Sequence, residues 1–436
     1  MTKVNVSADS QVILLLCSNL AISKGMESEY KPLTLTEWNT LAKKIAASSF
    51  KRPEAFLLSD ADKWQRELGL DSRQLERLAK LLSRRGSLAI ELKRLDDMGI
   101  WVLTRSESMY PCRLKKILKD KAPAVLYGTG DIGLFDIRGV GIVGSRDADE
   151  SAISFTQKLA GACVRDGFNV VSGGARGVDS VAQETALVEG GQVISVLSNG
   201  LATAMRNKAN REAILKKQLL LVSPYHPQAR FSVGAAMGRN KLIYALSHFA
   251  VAISATEGKG GTWSGATENI KHNWVPLFVR DAEDIPDGNR ALMRQGVNGL
   301  DIDNINERYG LSNILSVIEQ KANKSTSIVN SDKFIQDQEE SKTIQGFISE
   351  GEPTKYLGIN DLFEVVWPYI QNILVSVNES NSKILAKSLN VNEKQMKDWL
   401  ERATDEGRLE KLSRPVRYRL INSPQPLLFE LDDKKV

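Results

Sequence analysis

Residues 139–146 read Gly-Val-Gly-Ile-Val-Gly-Ser-Arg, and the helical pattern of residues 149–165 follows directly. An apolar run from Val140 to Val143 that stops at Gly144-Ser145-Arg146 before a helix is a strand, a tight turn and a helix in succession. The unit then recurs. Phe168 to Val171, Val193 to Leu197, Leu219 to Val222, Phe249 to Ile253 and Val275 to Val279 are further short β-branched runs, with helical stretches near 178–189, 207–217, 239–247 and 263–272. Such alternation predicts an α/β, Rossmann-like core: a doubly wound, mostly parallel sheet covered by helices on both faces. Ligands of such sheets bind beyond the carboxyl ends of the strands, so the loops there are the places to look for chemistry.

Those loops are rich in glycine and cations. Gly144, Ser145 and Arg146 offer backbone N–H groups and a guanidinium able to grip a phosphate through two parallel hydrogen bonds. The next strand runs into Ser172-Gly173-Gly174-Ala175-Arg176-Gly177-Val178-Asp179, where three glycines let the backbone approach a ligand and Arg176 adds charge. Asp179, near the helix start, reads as an N-terminal cap. Arg230-Phe231 and Gly238-Arg239-Asn240-Lys241 precede an apolar helix; an aromatic ring among cations is what a single-strand groove uses, the base stacking on the ring while cations hold the backbone. Gly258 to Gly265, with Gly261 and Thr262 at its centre, reads as another phosphate-facing loop.

Several functions find no support. Gly139, Gly141 and Gly144 match G-x-G-x-x-G formally, but two of them lie within the strand, and the second strand ends in Ser172 where a dinucleotide fold needs an acid for the ribose. No P-loop pattern G-x-x-x-x-G-K-[ST] occurs. Cys17, Cys112 and Cys163 show no C-x-x-C spacing, and His226, His248 and His272 form no metal-ligand pattern, so neither a metal nor another cofactor is expected. No activated nucleophile or pair of catalytic carboxylates appears in the loops, so binding is expected rather than catalysis. The apolar run Val12 to Cys17 is too short for a signal peptide or a membrane span, and the expected location is cytoplasmic. The excess of Lys and Arg (58) over Asp and Glu (53) fits a polyanionic partner without requiring one.

Around the core (109–320) the pattern divides the chain further. Residues 1–108 read as an all-α domain of the helix-hairpin kind, with a capping box at Asp71 and Gln74 and an apolar face of Leu75, Leu78, Ala79, Leu81 and Leu82. Residues 321–358 have linker composition. Residues 359–436 read as a winged helix and a tail, with Ile384, Leu385 and Leu389 on a first helix, Met396, Trp399 and Leu400 on a second, and a basic hairpin from Gly407 to Leu420. The exposed face of the second helix (Lys394, Lys397, Asp398, Glu401, Arg402) is mixed in sign, which leaves duplex DNA and protein both open as partners.

Together these loops resemble the DprA/Smf family of DNA-processing proteins. The matching stretches are Tyr110-Pro111 with 114–127, GIVGSR at 141–146, SGGARGVD at 172–179, GGQVISVL at 190–197 and GRNKLIYALS at 238–247. The resemblance implies a dimeric Rossmann-like core that binds single-stranded DNA without strong sequence preference and hands it to the recombinase RecA. By motif position Arg146, Ser172, Arg176, Arg239, Asn240 and Lys241 would line the DNA pocket, with Phe231. The chain departs from the family at Ala182-Gln183, where Ala-His is usual, at Leu201 to Met205 in place of a Tyr-Pro, and at Gly261-Thr262-Trp263. Such divergence also suits a phage-defence or toxin–antitoxin setting with a toxin or effector as partner. The alternative is a nucleotide-processing phosphoribohydrolase or nucleotide sensor on the same fold, since GGTWSGATE at 260–268 is similar to a loop of those enzymes in which a Glu, here Glu268, handles the ribose bond.

Overall fold

A computed structural model describes residues 6–22, 30–305, 310–311, 362–389, 391–413 and 415–421. Its centre is a nine-stranded sheet: β1 (Trp101–Thr104), β2 (Val125–Thr129), β3 (Gly139–Val143), β4 (Asn169–Ser172), β5 (Val193–Val196), β6 (Leu219–Ser223), β7 (Phe249–Ala252), β8 (Leu277–Arg280) and β9 (Asn298–Leu300). The order across the sheet is β1-β2-β6-β5-β4-β3-β7-β8-β9. All pairs from β6 through to β9 are parallel, while β1–β2 and β2–β6 are antiparallel. The chain winds outward from β3 to β6 and then returns to β7 on the other side of β3, the doubly wound arrangement the alternation predicts.

The strands from β3 to β8 are buried at every position, because helices cover both faces. On one face Val140, Ile142, Val170, Val193 and Val251 pack with α8 (Glu150–Arg165) and α9 (Val178–Val188). On the other, Val143, Val171, Ile194 and Ala252 pack with α12 (Val233–Leu246) and the helix Cys112–Leu118. The period of two along each strand thus feeds two cores.

The N-terminal region is helical from α1 (Ala8–Cys17) to α6 (Arg85–Asp97), and the capping box at Asp71 and Gln74 is formed. The helical pattern does not extend to residue 108. Trp101–Thr104 is strand β1, whose four residues are all buried and therefore carry no alternation to betray them. Val12 to Leu16 are core residues of α1, which adds to the same apolar cluster as α8 and α9.

Residues 362–421 form helices Leu362–Val377, Ser382–Leu389 and Glu393–Asp405 with a small antiparallel sheet of β10 (Glu379–Ser380), β12 (Arg417–Leu420) and β11 (Leu409–Leu412), the layout of a winged helix. Leu385, Leu389, Met396, Trp399 and Leu400 are buried as expected, but Ile384 is half-exposed, because it falls on the outer side of its short helix. This unit packs on α6: Ala89 joins its core and Ser87 Oγ donates to the Leu389 carbonyl at 2.9 Å. The linker at 321–358 lies outside the described residues. Among the described residues no helix is long and apolar enough to cross a membrane.

Candidate functional site

The carboxyl ends of β3, β4 and β5 and the segment after β6 enclose a cleft of about 390 Å³ lined by Arg146, Gly173, Gly174, Ala175, Arg176, Ser198, Asn199 and Phe231. Glycines make it possible. Gly144 lets α9 close on the β3 turn, since a Cβ there would lie 2.5 Å from the Val178 side chain. Gly177, at φ +84°, passes so near the turn that a Cβ would meet the Ser145 carbonyl oxygen at 2.4 Å. The Val178 N–H donates to that same Ser145 carbonyl at 3.2 Å, so the two loops are stitched into one floor.

Two cations stand over this floor. The Arg146 guanidinium lies over the Phe231 ring, 5.5 Å from its centroid, and the ring is half-exposed. Arg176 is exposed and pairs with Asp147 at 2.5 Å; with 78% and 83% of the two side chains open to solvent, this pair is weak and easily exchanged for another anion. Arg230, next to Phe231, is exposed.

Behind the floor lies a third guanidinium. Arg239 is only 4% exposed, and its Nε and Nη1 find no hydrogen-bond partner among the described residues. A Cβ on Gly173 would sit 1.8 Å from that Nη1 and 2.6 Å from Asp179 Oδ2, so Gly173 leaves room for both groups against the loop. Burial pushes the Arg239 guanidinium below its ordinary value, with Asp179 opposing the shift. Burial pushes the Asp179 carboxyl up, with Arg239 and the loop amides opposing. Asp179 Oδ2 accepts the Ala175 N–H at 3.4 Å.

The structure relocates several of the residues expected in the site. Ser172 is fully buried, its hydroxyl donates to the Ile142 carbonyl at 2.8 Å as a strand-to-strand tie, and it does not line the cleft. Asp179 is not a helix cap: the N-cap of α9 is Gly177, and Asp179 reaches back from the first turn to the glycine loop. Arg239, Asn240 and Lys241 do not precede their helix but lie within α12, which begins at Val233 after a Ser232 cap. Two residues apart on a helix point to opposite sides. Lys241 accordingly leaves Arg239 behind and lies toward Glu268 and Lys121, half-buried, with burial lowering its amine. Asn240 donates to the Gly261 carbonyl at 3.1 Å. Gly261 and Thr262 form the first turn of the helix Gly260–His272 instead of a loop, and they do not line the cleft.

Ala175, within the glycine loop, Ser198 and Asn199 complete the lining, and Ser198 and Asn199 escaped the sequence reading. The rule that ligands sit at strand ends points to the loop after Val196, but no glycine cluster or cation marks it. Ser223 Oγ donates to the Asn199 carbonyl at 2.8 Å and holds that loop in place.

A family model described as DNA recombination-mediator protein A matches residues 101–309. The protein Smf of Synechocystis is 33% identical over 190 residues, which is 42% of this chain and 45% of that protein. The chain spans about half the length of the curated relatives it matches. Among solved structures, DNA processing protein A from Streptococcus pneumoniae aligns over 68% of this chain and 95% of its own, at 20% identity and a TM-score of 0.45. The structure of DNA processing protein A from Helicobacter pylori, solved for its single-stranded DNA binding mode, aligns over 51% and 96% at 27% identity and a TM-score of 0.40.

Proposed function

We propose, from a core at residues 101–309 that belongs to the DNA recombination-mediator protein A family, that this chain binds single-stranded DNA in the cleft at the ends of β3, β4 and β5. The observation that carries the reading is the Arg146 guanidinium lying on the half-exposed Phe231 ring beside the glycine loop. A phosphate set on the loop amides would be gripped by Arg146 and Arg176, while the neighbouring base, free of a complementary strand, stacks on Phe231. Loop amides and guanidinium groups meet the phosphates, which carry no sequence information, so sequence preference is weak. The strand bound in this way is held for recombination and handed to a recombinase of the RecA type.

The nucleotide-processing alternative loses its acid. Glu268 acts on Lys241 and Tyr244, across α12 from the cleft, and does not line it.

Fluorescence anisotropy with a labelled oligothymidine tests the proposal. Binding should weaken with salt at a log–log slope of about −2, as expected when roughly three phosphates are neutralised. A duplex of the same length should bind more weakly. Absence of binding, or binding indifferent to salt, would overturn it.

A further inference from the structure

A second cavity, of about 560 Å³, opens where the N-terminal helices meet the core. Met98, which caps the end of α6, lines it together with the helix Leu201–Ala204, the start of the helix Lys208–Leu215 and residues 227–229. A seam between two units is a usual place for a ligand, and the volume is of ligand size. Met98, Met205 and Pro227 supply apolar surface, and Arg206 and Arg211 add two exposed guanidinium groups. Among the described residues neither arginine has a carboxylate within ion-pair distance. Glu212, the one acid of their neighbouring helix, lies 3.7 Å from Lys208 instead. Arg211 Nη1 donates to the Arg206 carbonyl at 2.7 Å, which ties the two cations into one rim.

The lining tells which anion fits. No aromatic ring is present, so a nucleobase would find nothing to stack on, and no glycine loop offers a phosphate its backbone amides. Thioether side chains adapt to aliphatic groups of varied shape, and a guanidinium fork matches a carboxylate. The matching ligand is a peptide in which acids and apolar residues are interleaved. Such a peptide is written in this chain. Residues 427–433, outside the described residues, read Leu-Leu-Phe-Glu-Leu-Asp-Asp: four apolar side chains, three carboxylates and no cation. From this complementarity we infer that the cavity between α6 and the core is the docking site of the chain's own segment Leu427 to Asp433. The reach suffices. Leu420 and Ala89 of α6 belong to one apolar cluster, and from Ala89 to Met98 the helix covers about 14 Å. From Ile421 to Leu427 an extended chain spans up to about 20 Å.

The test is the anisotropy of a labelled peptide of residues 424–433 titrated with the full chain. A second form of the full chain has its own segment disabled by Phe429→Ala, Leu431→Ala and Asp432→Asn. A third adds Arg206→Ala and Arg211→Ala to those changes. The peptide should bind the disabled form at least about tenfold more tightly than the native chain, where the tethered segment holds the cavity at a high effective concentration. Removing both arginines should weaken that binding by about tenfold. Should the double arginine variant fail to fold, Arg206→Ala alone carries the test with a loss of about threefold, because its side chain makes no hydrogen bond among the described residues. A peptide that does not bind the disabled form, or that ignores the arginines, overturns the inference. Equal binding to the native and disabled forms also overturns it, since the cavity would then take another occupant. No DNA enters the measurement, so its result stands apart from the single-strand reading.

Discussion

The cleft and the winged-helix unit both carry cations that lie on aromatic rings, Arg146 on Phe231 in one and Arg402 on Phe363 in the other, and they differ in whether a carboxylate also takes up that cation. From Lys383 to Arg419 there are ten Lys and Arg against six Asp and Glu. In the folded unit carboxylates take up many of these: Lys397 pairs with Glu393 at 3.0 Å, Arg402 with Glu406 at 2.7 Å, Arg408 with Glu364 at 2.5 Å, Arg419 with Glu410 at 2.6 Å, and Arg417 with Glu379. At the cleft, Arg146 meets an aromatic ring, and among the described residues no carboxylate lies within ion-pair distance of it. Charge counted along a sequence therefore says little about charge offered to a ligand. A cation answered by a carboxylate contributes a neutral, well-hydrated surface even where it lies on a ring, as Arg402 does, while Arg146, laid on a ring without an acid, keeps its donors available.

This contrast can be broken most sharply at Gly173. Gly173→Ala would push a methyl group into the Arg239 guanidinium. Overpacking of this kind costs about 1–3 kcal/mol, and single-strand affinity should fall at least tenfold, read by anisotropy alongside a thermal melt. Arg146→Ala comes next, with a loss of roughly tenfold for one charge-assisted contact. Arg146→Lys should restore only part of it, because an ammonium cannot lie flat on Phe231. Unchanged affinity in Arg146→Ala would mean that the cleft is not the site.

Smaller effects sharpen the other side. Ser87→Ala removes the hydroxyl that holds the Leu389 carbonyl, and should lower stability by about 1 kcal/mol in denaturant unfolding without altering strand affinity. Lys241→Ala should change affinity by no more than about twofold, since the side chain turns away from the cleft toward Glu268. Arg419→Ala and Lys397→Ala should leave single-strand affinity within about twofold of native. A large loss in either of the last two would show that these ion pairs open to receive DNA and that the two regions are alike after all.

Much of this architecture could be read in advance. The strands from β3 to β8 are short apolar runs, β3 and β4 closed directly by glycine, and each overlaps the run that the pattern marks. β1 was hidden because four buried residues after a long helical stretch have no period. The start of α12 was hidden because Gly234 and Gly238 resemble a loop, whereas in the fold the Ser232 side chain caps the helix by accepting from the Ala235 N–H. Within the site, the glycine loops and the Arg146, Arg176 and Phe231 group come together around the cleft, whereas Ser172, Lys241, Gly261 and Thr262 do not line it.

Residue order alone determined the alternation of strand and helix, and with it the sheet and the loops where a phosphate could be met, because those depend on periodicity and on glycine, which act over a few residues. Which guanidinium is open, which is buried behind a glycine and which is cancelled by an acid was decided only on folding. Those outcomes depend on side chains brought together from distant segments, as when Arg239 meets Asp179 and Gly173, and no local rule contains that distance.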